Sequence, residues 1–362
     1  MGQHHYLNKM RSAIIRGKFL LYGAALVLSL VAPLVTSSST ASATASFSEY
    51  PTTGLNNPNQ IVSSSGSMWY AGLSSAGLPE LSNVTTSGTV TNYSPFPAGD
   101  GGNITGLTTD ASGNVWFSGC DVPATGPGIM ILGYMDPSTS AITTFHYSSY
   151  VCRYAITNYS VGQPTVDANG HIWVAMYYGT STGHSFVLEF NSSGSYVSTW
   201  SPTGGNQSWQ AIVAGPSNSL WTVDSRYSKV AQLTLSPTTG TVTGMNEYAA
   251  PGSLVGNITV GPDGNLWAGG GGVIYKMTAG GTFTSYTVPS GTGVNGITAG
   301  PDGALWFTGG SANTIGRATT GGSITEYTIP TTGAGPRGIT TGPDNALWFT
   351  ESGSNKVGRL GY

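Results

Sequence analysis

Side chains able to move a proton or hold a cation are scarce in this 362-residue chain, of which 7% is charged. Beyond the first 45 residues histidine occurs three times, as His146, His171 and His184. Imidazole changes charge near neutral pH, so a general base is sought among these first. His184 lies in an expanded loop, "MYYGTSTGHS", where a histidine is either simply solvated or overhangs a neighbouring site. Cys120 and Cys152 are the two cysteines; they read as one disulfide in an exported protein and otherwise as two buried thiols. Trp209, with Gln210 beside it, either packs in the core or offers a flat ring for a sugar or an apolar ligand. The glycine run at Gly269 to Gly272 does not stand between a strand and a helix, so a nucleotide-binding reading fails.

The elements that must position these groups repeat. Seven tryptophans, Trp69, Trp116, Trp173, Trp221, Trp267, Trp306 and Trp348, each follow a turn containing Gly or Asn and an apolar residue. "GPDGNLWAGG", "GPDGALWFTGG" and "GPDNALWFTE" are the clearest copies. A second strand such as "TIGRATTGG" and a third such as "SITEYTIP" come after the tryptophan, and one such as "VNGITAG" precedes it. Four short strands in about 40 to 50 residues make one blade of a propeller. The chain is therefore expected to be all-β, a seven-bladed β-propeller of four-stranded antiparallel blades. Its tryptophans are expected to pack between blades. The last repeat ends after its third strand, and "FSEYP" (Phe47 to Pro51) matches the missing piece, so the N-terminal strand should close the last blade.

Residues 1–45 read differently from the rest. Lys9, Arg11, Arg16 and Lys18 precede the apolar run Phe19 to Val35 and the small-residue stretch "SSSTASATAS". That order is a secretory signal, with cleavage after Ala43 or Ala45; an uncleaved anchor is the alternative. An extracellular or cell-envelope location follows, with residues 46–362 as the propeller and no membrane attachment once the signal is cut. Removing the segment leaves eight basic against fifteen acidic side chains, a net charge of −7. With no Lys/Arg patch, nucleic acid is not an expected partner. A closed ring leaves no blade edge for a second copy, so a monomer is expected.

The stretch from "GPDGALWFTGGSANTIGRATTGGSITEYTIP" to "GPDNALWFTESGSNKVGRL" resembles the streptogramin B lyase (virginiamycin B lyase) family of seven-bladed propellers. The resemblance is strongest over Leu254 to Leu360 and fades through the first four repeats. It implies a carbon–oxygen lyase that opens cyclic depsipeptide antibiotics by elimination. A base removes the α-proton beside the ester, and Mg²⁺ stabilises the developing negative charge. The family carries its histidines at the second position of P-H-G-I or P-H-A-I. Counted from each tryptophan, that position here holds Pro58, Thr105, Gly162, Gln210, Gly256, Asn295 and Arg337, and none is histidine. The family's "WFTE" carboxylate is kept as Glu351, with Asp224 of "WTVD" at the matching place in the fourth repeat.

Two functions of different class follow. In the first, the protein is an exported binding propeller for a small molecule, glycan or protein. Trp209, Gln210, Asn295, Arg337, Asp224 and Glu351 then line its funnel. In the second it is a Mg²⁺-dependent lyase of the family kind, with Glu351 as the candidate metal ligand and Glu351, Arg337 or His184 as candidate catalytic groups. Arginine stays protonated at any relevant pH, so Arg337 cannot take a proton. The first reading is preferred on that ground.

Overall fold

A computed structural model describes residues 45–96, 100–123, 126–152, 158–179, 184–203 and 207–362. The signal-like segment therefore lies outside the described residues, apart from Ala45. Among the described residues there are seven antiparallel sheets and no helix. The innermost strands of blades one to seven are Ile61–Ser64, Gly101–Thr109, Asn158–Val166, Trp209–Gly215, Leu254–Val260, Val294–Ala299 and Pro336–Thr341. In each blade the tryptophan stands on the next strand outward. Blade one carries an additional two-residue strand, Leu55–Asn56, on the strand Ser67–Ser74.

Ring closure is as the repeats imply. Ser46–Pro51 pairs antiparallel with Lys356–Gly361, matching Phe47 to Leu360 and Tyr50 to Val357. Blade seven is thus three strands from the end of the chain and one from near its start.

Each anchor tryptophan is buried, at most 2% exposed, and packs against the following blade. Trp306 of blade six meets Ile339, Leu347 and Phe349 of blade seven, and Trp348 of blade seven meets Ile61 and Tyr70 of blade one. Truncating one such ring typically costs about 3 to 5 kcal/mol.

The Gly-Pro-Asp turn serves the same ring. Asp302 accepts the indole N–H of Trp306 at 3.0 Å, and the guanidinium of Arg317 lies 2.6 Å from its other oxygen. Asp344, Trp348 and Arg359 repeat this, as do Asp263, Trp267 and Lys276. Aspartate, tryptophan and a basic residue, arginine in the two "GR" copies and Lys276 in blade five, therefore form one clamp that ties the turn to the second and third strands. The turn needs a left-handed residue after the aspartate. Gly303 supplies it with φ 73°, and Asn345 takes the same region in blade seven with φ 57°.

The cysteines form a disulfide, Cys120–Cys152, with Cα atoms 5.9 Å apart. Cys120 lies within the second strand of blade two, Val115–Val122. Cys152 follows the outer strand Ala141–Val151 of the same blade.

Candidate functional site: the axial cavity

The inner strands begin with a local irregularity that aims side chains at the propeller axis. In blade seven Pro336 pairs with Glu351 and Ile339 pairs with Phe349, leaving Arg337 and Gly338 as a β-bulge. Blades two, three, four and six carry the same irregularity, and it exposes Gln210 in blade four and Asn295 in blade six. The glycine after the bulged residue has a steric cause. A Cβ on Gly338 would lie 2.6 Å from the Asn59 carbonyl oxygen, and one on Gly296 would lie 2.4 Å from that of Arg337. Only a residue without a side chain lets neighbouring inner strands approach so closely.

The register moves two of the positions counted from the tryptophans. Blade one closes its first hairpin with two residues, Ser65 and Gly66, so the cavity-facing position is Asn59 and Pro58 is buried. Blade five holds one more residue between Leu254 and Ile258, so Val255 and Asn257 reach the cavity where Gly256 was counted. The hydrogen bonds confirm the shift. Asn59 Nδ2 donates to the Ile104 carbonyl of blade two, as Asn295 Nδ2 donates to the Pro336 carbonyl of blade seven.

All seven inner strands surround one cavity of about 730 Å³. Among its described lining residues Arg337 is the single ionisable one; Asn59, Asn103, Gln163, Gln210 and Asn295 supply neutral amides. Asn103, Gln163 and Asn257 escape a count based on one position per blade. Asn103, two residues before Thr105, follows from the period-two alternation of its strand, whereas Gln163 and Asn257 stand beside the counted glycines inside irregularities that break the alternation. The Arg337 backbone is held from blade six, where Thr308 Oγ1 donates to its carbonyl at 2.6 Å and accepts from Gly296 N–H at 2.8 Å. Its side chain is exposed, and among the described residues no carboxylate lies within ion-pair distance of it.

Gln210, Asn295 and Arg337 thus come together; the other candidates do not. Trp209 is fully buried, stacked parallel to Trp200 with ring centroids 6.3 Å apart, so it is a packing residue and offers no ligand a face. Its neighbour Gln210 takes the exposed direction because successive strand residues point to opposite sides. Asp224 is 1% exposed and its Oδ1 accepts from the N–H groups of Arg226 and Tyr227, capping its own turn. Burial raises its carboxyl above the usual range. Glu351 is wholly buried, with Oε2 accepting from Ser354 Oγ at 2.7 Å and Oε1 without a partner. Burial, assisted by the nearby charge of Glu49, pushes its carboxyl up to about 7. Both carboxylates stand at the level of the rim, but neither lines the cavity.

His184 does not overhang the cavity. It opens the third strand of blade three and borders a separate recess of about 290 Å³ beside Tyr150, Phe186 and Thr199. The other two histidines pair with carboxylates, His146 with Asp121 at 3.1 Å and His171 with Glu189 at 2.7 Å. Neither lines the cavity.

A divalent metal does not suit these groups. Magnesium takes hard oxygen ligands, usually with one or two carboxylates, and the cavity offers amides, hydroxyls and a guanidinium. The acidic groups near Glu351 are already served by a cation, since Lys356 Nζ lies 3.0 Å from Glu49 Oε2. Among the described residues no group of three His, Cys, Asp or Glu side chains could hold a metal.

Comparison with known proteins agrees with the fold. Virginiamycin B lyase from Staphylococcus aureus superposes with a TM-score of 0.69 at 23% identity, covering 88% of this chain and 99% of that one. A catalytically inactive histidine-to-alanine variant of that lyase, with quinupristin, gives 0.66 at 24% identity over 88% of this chain and 99% of its own. The extracellular domain of a two-component system protein from B. thetaiotaomicron gives 0.60 at 13% identity, over 87% of this chain and 42% of its own. No curated protein sequence matches the chain significantly. Residues 150–362 match the virginiamycin B lyase family, which is more than half of the sequence, and the chain belongs to that family.

Proposed function

We propose that this protein is an exported binding propeller that captures a polar small molecule in its axial cavity and does not perform the lyase reaction. The observation that carries the reading is Arg337, a permanent cation at the counted position of the family's histidines and the one ionisable group among the cavity's described lining residues. Elimination requires a side chain that accepts a carbon-bound proton, and such positioned bases are worth about 10² to 10⁴ in rate. Glu351 has a suitably raised carboxyl but is sealed from the cavity, and His184 lies in an outer recess. In the S. aureus enzyme a single histidine-to-alanine change accompanies catalytic inactivity. Export is supported by the basic–apolar–small order of the N-terminal segment and by the disulfide, which persists in oxidising compartments.

The test is the purified protein from Ser46 onward, incubated with Mg²⁺ and a streptogramin B, with ring opening followed by mass. The expected result is no opening above the protein-free control. Turnover that disappears in His184→Ala or Glu351→Gln would overturn the binding reading and identify the base.

A further inference from the structure

From the lining of this cavity we infer that its ligand is a small hydroxylated carboxylic acid of the acidic-sugar class. The inference rests on the binding reading above and narrows it. An arginine side chain without a counter-ion in a neutral cavity favours a ligand that brings one negative charge. Its planar fork matches a carboxylate in two parallel hydrogen bonds. The backbone that carries the fork is fixed, by Thr308 on the Arg337 carbonyl and by the Asn295 amide on the preceding Pro336 carbonyl, while the exposed side chain itself is ordered on binding.

The rest of the lining selects against other anions. A phosphate or sulfate ester carries up to two charges and is normally met by several cations or a helix N-terminus. Among the described lining residues there is one cation, and the described structure has no helix. An apolar acid is disfavoured because most of the exposed surface of the wall is polar, with aliphatic side chains such as Ile61, Ile212, Val255 and Ile339 contributing the smaller share. Amide side chains both donate and accept, which is what neighbouring hydroxyl groups require. Asn59, Gln210 and Asn295 line the cavity from blades one, four and six, and the Asn59 and Asn295 amides each keep a second N–H beyond the one given to the neighbouring blade. A cavity of about 730 Å³ lies within the ordinary range for small-ligand sites. No aromatic ring lines it among the described residues, so neutral sugars lack the stacking surface that usually holds them.

Calorimetric titration of the protein with D-galacturonate and D-gluconate tests this, with D-glucose and glucose 6-phosphate as comparators. Both acids should bind, glucose should bind at least tenfold more weakly, and the phosphate ester should not exceed the acids. Arg337→Gln should weaken both acids by about 10- to 100-fold, the range for a lost charge-assisted pair. Arg337→Lys should fall between, and Gln210→Ala should cost a smaller factor. An unchanged near-ultraviolet circular dichroism spectrum would show that the variants remain folded. Neither acid binding at millimolar concentration, glucose matching them, the phosphate ester binding tighter, or Arg337→Gln leaving them unaffected would each overturn the acidic-sugar assignment. Those results leave the capture reading standing, whereas ring opening of a streptogramin would remove the capture reading itself.

Discussion

Single residues decide how well each tryptophan is held. Blades two, three, five, six and seven give the indole N–H a carboxylate, from Asp110, Asp167, Asp263, Asp302 and Asp344. Blades one and four have serine in the matching turns, and the N–H groups of Trp69 and Trp221 are buried without a partner. An unpaired buried donor costs about 1 to 3 kcal/mol. Asp302→Ala orphans the Trp306 indole and frees Arg317 together, so a loss of about 2 kcal/mol is expected in urea unfolding. Ser217→Ala, in the blade-four turn that supplies no such bond, should change stability by less than about 0.5 kcal/mol. Equal effects from the two substitutions would show that the aspartate clamp contributes nothing. Arg337 matters in the opposite sense, since its side chain supports no packing. Replacing it should leave the melting temperature unchanged while altering what the cavity holds.

At the scale of the strand, the closing segment Ser46–Pro51 carries an electrostatic detail of its own. Glu49 sits beside Lys356 and Thr331. Burial works to raise its carboxyl, but the hydrogen bonds from Thr331 and Lys356 win and hold it below the usual range. Glu351, close by, is pushed the other way, from 4.5 to about 7. A carboxyl whose folded value is raised stabilises the fold while protonated. That contribution is full below about pH 4.5 and is lost as pH rises through 7, amounting to about 3 kcal/mol by linkage. Glu49 acts in reverse, losing its contribution as pH falls below its ordinary range. Glu351→Gln should therefore be more stable than the wild type at pH 8 and similar at pH 4.5. Denaturant titrations at the two pH values check this; parallel pH profiles would refute it. The disulfide is the other device at this scale. It spans 32 residues between the second and outer strands of blade two. Replacing both cysteines with serine should cost about 3 to 4 kcal/mol in the chain-entropy account, read as a lower urea midpoint.

The strands were legible because the tryptophan and its turn recur, and because one clamp explains both. The cavity was less legible, for a reason visible at two blades. A two-residue hairpin in blade one and an added residue at Val255 to Asn257 move the axis-facing side chain by one place, and spacing from the tryptophan cannot reveal either. Strand alternation hides the rest. Trp209 and Gln210 are adjacent in sequence, yet one is fully buried and the other faces the axis. Glu351 follows the same logic, since it shares a side with Phe349 and turns into the interface with blade six.

For the whole molecule the decisive feature is that a ring has no first or last blade once it is closed. Every anchor tryptophan packs on the next blade, and Trp348 completes the circuit against blade one. The strand Ser46–Pro51 adds backbone pairing with Lys356–Gly361, the stack of Tyr50 on Trp348 at 5.4 Å, and the edge contact of Phe47 with Phe349. Losing it would uncover a six-residue strand edge and part of the apolar interface of blade seven at once. An exposed edge of that kind is a template for pairing with another chain. A protein beginning at Thr52 is therefore expected to melt well below the protein beginning at Ser46 and to form dimers or larger species in light scattering. Adding a peptide of the sequence SFSEYP in excess should return it to a monomer and raise its melting temperature, because the peptide restores the missing strand without linking it to the chain. A monomeric truncated protein with an unchanged melting temperature would mean that packing between blades closes the ring unaided.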